Sequence, residues 1–206
     1  MRRVNIRCFQ TCDLKQVADI MAWSFKEKFQ RLSSLPQNKM SDFLIKAGVI
    51  YSSPFSGYIV AEENNEILGV MVLEWLNQNR SPNKYNLLEA SKYGLWKVIK
   101  LLFGLWILMR KPKTGECYIG HIAVKPEVQG KGIGTKLLEF GNELARKKRF
   151  EKFTLYVSSS NKGAVKLYEK LGFNILRTKR SYLTKRLFGI KEWYYMSQNV
   201  TSPNIP

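Results

Sequence analysis

The sequence predicts an α/β fold: a mixed central sheet flanked by helices, with a helical segment inserted between the third and fourth strands. Three observations carry this expectation. From Glu116 onward, β-rich runs alternate with helical segments of apolar periodicity. Earlier, residues 57–61 and 67–73 are apolar β-rich runs separated by Glu62-Glu63-Asn64-Asn65-Glu66, the pattern of a hairpin. Between these halves, residues 77–115 begin turn-rich and become strongly apolar. At 206 residues, 45% hydrophobic and 24% charged, the chain is long enough for one filled core and short for two, so residues 1–206 are expected to form a single domain.

Taken in order, residues 4–9 alternate as an edge or half-buried strand does, and Asp13 stands where an N-cap opens a helix. That helix is expected to run to about Gln30, with Leu14, Val17, Ala18, Met21, Phe25 and Phe29 on one apolar face. A second helix follows over 40–49, then the hairpin, then a polar, turn-rich stretch over 77–83. Residues 95–109 read LWKVIKLLFGLWILM. They fall short of the ~20 apolar residues a membrane span needs. Lys97 and Lys100 share a helical face, so this is read as a buried or surface-lying amphipathic helix, ended by Lys111-Pro112-Lys113-Thr114-Gly115. The second half gives a strand over 117–124, a glycine turn over 130–134, a helix over 135–148, a strand over 152–157, a helix over 161–171 and a strand over 173–177. A last strand over 193–196 precedes a frayed tail over 201–206.

Charge narrows the partners. The chain carries 34 Lys and Arg against 16 Asp and Glu, a net +18 that attracts anions: a nucleotide-bearing cofactor, a nucleic acid or an anionic membrane surface. Basic clusters such as residues 145–149 read as the solvated face of a helix, so nucleic acid is not expected as a partner. Three cysteines, Cys8, Cys12 and Cys117, are an odd number without a CxxC pair, which points to a reduced protein in the cytoplasm. No apolar run follows the basic Met1-Arg2-Arg3, so secretion is not expected.

The chemistry concentrates after the fourth strand. Pro126-Glu127-Val128-Gln129-Gly130-Lys131-Gly132-Ile133-Gly134 leads into a helix near Thr135. Glycines there let backbone curl around a ligand, and the free N–H groups of a helix's first turn, with the dipole behind them, attract an anion. Lys131 adds a charge and Thr135 a hydroxyl. This is not a Walker loop, because no Gly-Lys-Ser/Thr follows at the required spacing, and no acid closes the next strand as in a dinucleotide fingerprint. Another phosphate-bearing ligand is called for. Asn161 opens the following helix, as an N-cap or as a ligand contact, and Tyr168 lies two helical turns later on the same face.

These residues resemble the GNAT superfamily of N-acetyltransferases, whose pyrophosphate loop reads Gln/Arg-x-x-Gly-x-Gly/Ala; here it is Gln129, Gly132 and Gly134. Ile122-Ala123-Val124 looks like the family's strand segment that hydrogen-bonds the pantetheine arm of coenzyme A, and residues 161–173 match Asn-x-x-Ala-x-x-x-Tyr-x-x-x-Gly-Phe. The resemblance is tight over 116–177 and extends in element order over 4–73. It implies acetyl-CoA as acyl donor, no metal, and direct attack in a ternary complex by a primary amine, on a small molecule or on a protein N-terminus or lysine. It further implies that Asn161 contacts the donor, that Tyr168 lies beside its sulfur and protonates the departing thiolate, and that a backbone N–H near Ile122 stabilises the oxyanion. A monomer or homodimer is expected.

Two departures matter. Many relatives place a Glu five residues before the motif Asn, where this chain has Tyr156. Tyr118 and Glu116 share a strand face by simple alternation and are candidate bases through water, while His121 is expected on the opposite face unless a bulge shifts the register. Cys117 has no partner of supported geometry and reads as strand packing. The second departure is the insertion over 77–115. It is read as a helix packed on the fold, a wall or lid for a bulky acceptor, or a docking helix making peripheral membrane contact through 93–113. The rival to an enzyme is a non-catalytic module that keeps this fold and binds nucleic acid or anionic membrane through its basic surface.

Overall fold

The structure, a computed structural model, describes residues 4–33, 35–80 and 86–200. Its strands are β1 (Asn5–Cys8), β2 (Tyr58–Glu63), β3 (Glu66–Glu74), β4 (Glu116–Val124), β5 (Lys152–Ser158), β6 (Asn174–Arg180) and β7 (Glu192–Asn199). They form one mixed sheet in the order β1-β2-β3-β4-β5-β7-β6, in which only β4 and β5 run parallel. The helices are α1 (Leu14–Ser24), α2 (Lys26–Ser33), α3 (Gln37–Lys46), α4 (Leu87–Ser91), α5 (Leu95–Leu108), α6 (Ile133–Lys147), α7 (Lys162–Lys170) and α8 (Tyr182–Phe188). The insertion between the third and fourth strands thus contains α4 and α5.

The sheet divides two cores. On one face Val17, Ala18 and Met21 of α1 and Phe43 and Leu44 of α3 pack against Tyr58, Val60, Val70 and Val72, with Phe9 stacked on Tyr58 at 4.0 Å. On the other face Leu137 and Leu138 of α6 and Val165 and Tyr168 of α7 cover Met71, Ile119, Phe153 and Leu155. The contact on this second face is close: a Cβ on Gly141 of α6 would lie 2.7 Å from Met71 Cε and 3.0 Å from Phe153 Cζ, so a side chain there would make the Met71 terminus shift. The β2–β3 hairpin turns on Asn64 and Asn65, whose φ angles of 53° and 62° are those of a primed turn.

Several expectations change. The first helix is not continuous to Gln30: Phe25, at φ −111° and ψ 21°, leaves the helical region and separates α1 from α2. The apolar spacing runs on across the break because both segments face the same core. Asp13 does not cap α1 with its side chain. It closes a 3-10 turn over Thr11–Asp13, accepting from the Gln10 N–H at 2.7 Å and from Arg7 at 2.7 and 2.8 Å. Burial alone would raise its pKa, and the Arg7 hydrogen bonds and charge outweigh that and lower it. The next helix begins at Gln37 rather than at 40, and α5 ends at Leu108. Helix α8 was not expected at all; Ser181 caps it, and Thr184 is buried, donating to the Ile190 carbonyl at 2.8 Å and accepting from the Trp193 indole at 3.1 Å. The tail over 201–206 lies outside the described residues.

Candidate active site

The β4–β5 ladder pairs Glu116 with Lys152 through Ile119 with Leu155 and then ends. Beyond it β4 continues to Val124 on the β3 side and β5 to Ser158 on the β7 side, so the sheet splits. The inner backbone edges of residues 120–124 and 156–158 have no strand partner across this split, which is an opening an extended ligand can pair with. Because the two strands are parallel, the turns that follow them lie at the same end of the sheet, where α/β sheets place ligands.

At that end stands the N-terminus of α6. Gly130 and Gly132 take φ of 75° and 81°, and Gly132 is the N-cap residue, with no side chain capping the helix. The first-turn N–H groups, those of Ile133, Gly134 and Thr135, therefore remain for a ligand. Gln129 is engaged locally, donating from Nε2 to the Val124 carbonyl at 3.2 Å and tying the loop to the strand. Lys131 is exposed. A Cβ on Gly134 would lie 3.6 Å from Leu167 Cδ2, so the start of α6 and helix α7 are side by side. Asn161 caps α7, Oδ1 accepting from the Ala164 N–H at 3.2 Å. Two turns on, the Tyr168 ring is 7% exposed and packs against Phe173 at 5.8 Å. Its hydroxyl has no partner among the described residues, and burial pushes its pKa up to about 12.

On the face that carries α1 and α3, the expected register fails. Val72 pairs with His121 and Leu73 with Ile119, leaving Gly120 as an extra residue in β4. This bulge puts His121 on the same face as Tyr118 and Glu116, correcting the opposite placement that strict alternation gives. Burial holds the imidazole down at about 4, so it is neutral and weakly basic near pH 7. Tyr118 sits across from Glu74, and burial, then that carboxylate, raise its pKa. Glu116 is buried and already held: Tyr195 Oη donates to Oε1 at 2.6 Å and the Lys113 N–H to Oε2 at 3.3 Å. Tyr156 packs between Tyr118 and Tyr195 at 6.4 and 5.0 Å, with the Arg110 guanidinium over its ring.

The bulge also exposes a residue the sequence reading overlooked. A Cβ on Gly120 would lie 3.1 Å from Glu74 Cδ, so the Glu74 carboxyl rests directly over the kink. Glu74 Oε1 accepts from Arg80 Nη1 at 3.0 Å and from Tyr51 Oη at 3.4 Å. Cys117, by contrast, is fully buried with its pKa pushed up to about 12 and does not serve as a nucleophile. Among the described residues no group of three or more His, Cys, Asp and Glu side chains is placed to hold a metal.

Residues 14–173 match the family described as Acetyltransferase (GNAT) family. The chain belongs to the GNAT acetyltransferases. A stretch of 88 residues is 36% identical to thialysine N-epsilon-acetyltransferase of Mus musculus, covering 42% of this chain and 52% of that protein. Another of 117 residues is 31% identical to mycothiol acetyltransferase of Acidothermus cellulolyticus, covering 57% and 29%. The chain therefore spans about half or less of the length of these relatives. Among solved structures, N-acetyltransferase from Staphylococcus aureus Mu50 superposes with a TM-score of 0.64 at 21% identity, covering 94% of this chain and 99% of that one. Ard1 from Thermoplasma volcanium gives 0.58 at 18% identity, covering 97% and 99%. At such identities these structures show the GNAT fold alone.

Sequence could not have singled out Glu74 in this GNAT-family chain. It ends one strand, pairs with Tyr118 more than forty residues away, and meets Arg80 and Tyr51 only after folding.

Proposed function

We propose that this GNAT chain transfers an acetyl group from acetyl-CoA to a primary amine of a small molecule, by direct attack in a ternary complex. The observation that carries the reading is the uncapped N-terminus of α6 standing at the open end of the β4–β5 split, beside a helix whose Tyr168 hydroxyl has no protein partner among the described residues. Acetyl-CoA fits those features: its phosphates suit the first-turn N–H groups and Lys131, and its extended pantetheine arm suits the unpaired edge at Ile122, Ala123 and Val124. The names of the two relatives, thialysine and mycothiol acetyltransferases, favour a small-molecule acceptor.

When bound, acetyl-CoA supplies a thioester carbon open to attack. The chain's residues do the rest in this reading. Ile133, Gly134 and Thr135, with Gly130, Gly132 and Lys131 shaping the loop, hold the diphosphate, and Gln129 keeps that loop against β4. The Asn161 Nδ2 group contacts the donor while Oδ1 caps α7. A backbone N–H near Ile122 takes up the negative charge that develops as the new C–N bond forms. Tyr168 gives its proton to the sulfur as the C–S bond breaks and recovers one from solvent.

The amine sheds a proton on the other side of the sheet. Glu74 takes it, through water, because its carboxyl lies at the bulge and, among the hydrogen bonds of the described residues, only its Oε1 is engaged, whereas both oxygens of Glu116 already accept, from Tyr195 and from the Lys113 N–H. Tyr118 walls the acceptor, and Glu116 anchors the tyrosines around it. A thiol-release assay with acetyl-CoA against small amines, polyamines, lysine peptides and free N-termini tests this, alongside calorimetry of acetyl-CoA. Turnover with small amines and saturable donor binding are expected. No donor binding and no transfer to any class would reject the reading; transfer to peptides alone would reject the small-molecule acceptor.

A further inference from the structure

Helix α5 is apolar on both sides. Its inner face, Val98, Leu101 and Gly104, is buried, with Gly104 backed by Leu32 of α2 and Phe188 of α8. Its outer face carries Leu95, Trp96, Ile99, Phe103 and Trp106, exposed by 62, 81, 46, 48 and 67%. Steps of three and four residues align them in one stripe along the helix. A helix at a protein surface ordinarily turns polar residues to water, so a contiguous apolar stripe marks a surface that another body covers.

The charges beside the stripe say what that body is. Between Glu89 and Glu116 stand Lys92, Lys97, Lys100, Arg110, Lys111 and Lys113, and no acid. Between Glu169 and Glu192 the chain again holds only basic charges. The fold joins these two segments: Trp106, Ile107 and Arg110 share a recess of about 350 Å³ with Lys179, Leu183 and Thr184. Tyr182, 78% exposed, carries the aromatic surface onto α8.

An apolar stripe bordered by cations is complementary to acyl chains beneath anionic headgroups. The indoles of Trp96 and Trp106, each with one polar N–H, suit the boundary between the two. A second copy joined through this same face would oppose cations with cations. A nucleic acid would use the cations and leave Leu95 and Ile99 in water. Among the described residues no helix is long and apolar enough to cross a membrane, and α5 itself is only about 21 Å long, so it would lie flat.

We propose that the outer face of α5, with the start of α8, docks the protein on an anionic membrane surface, the helix in the interfacial plane and its lysines and arginines on lipid phosphates. This does not depend on the acetyl-transfer reading. The full chain is sedimented with vesicles of phosphatidylcholine alone and of phosphatidylcholine with phosphatidylglycerol. Binding to the mixed vesicles is expected to exceed that to the neutral ones by about tenfold and to fall with added salt, with tryptophan emission moving to the blue. Trp96→Ser with Phe103→Ser should cut binding by at least about tenfold, leaving circular dichroism and melting temperature in place because both side chains are exposed. Lys111→Gln with Lys113→Gln, which leaves the helix intact, should weaken binding to the anionic vesicles only. The proposal is overturned by failure to bind the mixed vesicles, by equal binding to neutral ones, by a dimer in sedimentation velocity that Trp96→Ser abolishes, or by an RNA oligonucleotide that binds this face while vesicles do not.

Discussion

Where β4 leads into α6, the surface open to a ligand is backbone: the N–H groups of Ile133, Gly134 and Thr135 and the unpaired edge of residues 120–124. Across the sheet, where Glu74, Arg80, Tyr51 and Tyr118 gather, the surface is made of side chains drawn from separate segments. A backbone site depends on φ and ψ at a few positions, so one wrong residue ruins it. A side-chain site is held by several partly redundant contacts, so its losses are graded and its specificity can change without disturbing the fold.

The sharpest way to break that contrast is Gly132→Val. A β-branched residue at φ 81° costs ~1–3 kcal/mol of strain or moves the loop, and the affinity for acetyl-CoA, read by calorimetry, should fall about a hundredfold. Retained affinity would mean that side chains, not backbone, hold the donor. Tyr168→Phe comes next: kcat should drop about a hundredfold with donor affinity unchanged. Its stability should stay close to wild type, because among the described residues no partner of the hydroxyl is lost. With its pKa at about 12, the wild-type phenol should stay protonated, so no loss of activity from its ionisation is expected through pH 10.

Glu74→Gln tests the side-chain half. It should lower kcat/KM for the amine about tenfold and move the activity optimum to higher pH, where more of the acceptor is neutral without help; donor affinity should not change. The smallest effect concerns His121. Its folded pKa, about 4, lies below the ordinary 6.5, so the unfolded chain binds the proton more readily. Stability from this group is full above pH 6.5 and is lost as pH falls through the window from 6.5 to about 4. Urea unfolding near neutral pH and at about pH 4.5 should show a loss on the order of 2 kcal/mol that His121→Gln lessens.

The same contrast explains what could be read from sequence. Asn161, Ala164, Tyr168, Gly172 and Phe173 lie within one helix and its exit, and Gln129 to Gly134 within one turn, so their joint resemblance to the GNAT motifs can be read along the chain. Asn64-Asn65 announces its hairpin for the same reason. The bulge at Gly120 leaves no mark on composition, and strict alternation therefore sent His121 to the wrong face. Phe25 keeps its place in the apolar period while its backbone leaves the helix, because periodicity reports which side faces the core and not whether the axis is straight. Helix α8 is seven residues long and mostly exposed, too short for a period to show. Glu74, Arg80 and Tyr51 meet through a strand register that only folding supplies.

The split sheet has a mechanical side. The ladder from Glu116 to Ile119 is the spine of an open book: β1 to β4 form one leaf, β5 to β7 the other, and α6, packed against strands of both, is the clasp. A molecule filling the gap would act as the missing stitching between the leaves. Amides of residues 120–124 and 156–158 that face the gap should exchange with solvent readily in the empty protein and slow together once it is filled, and the same filling should raise the melting temperature of the whole chain.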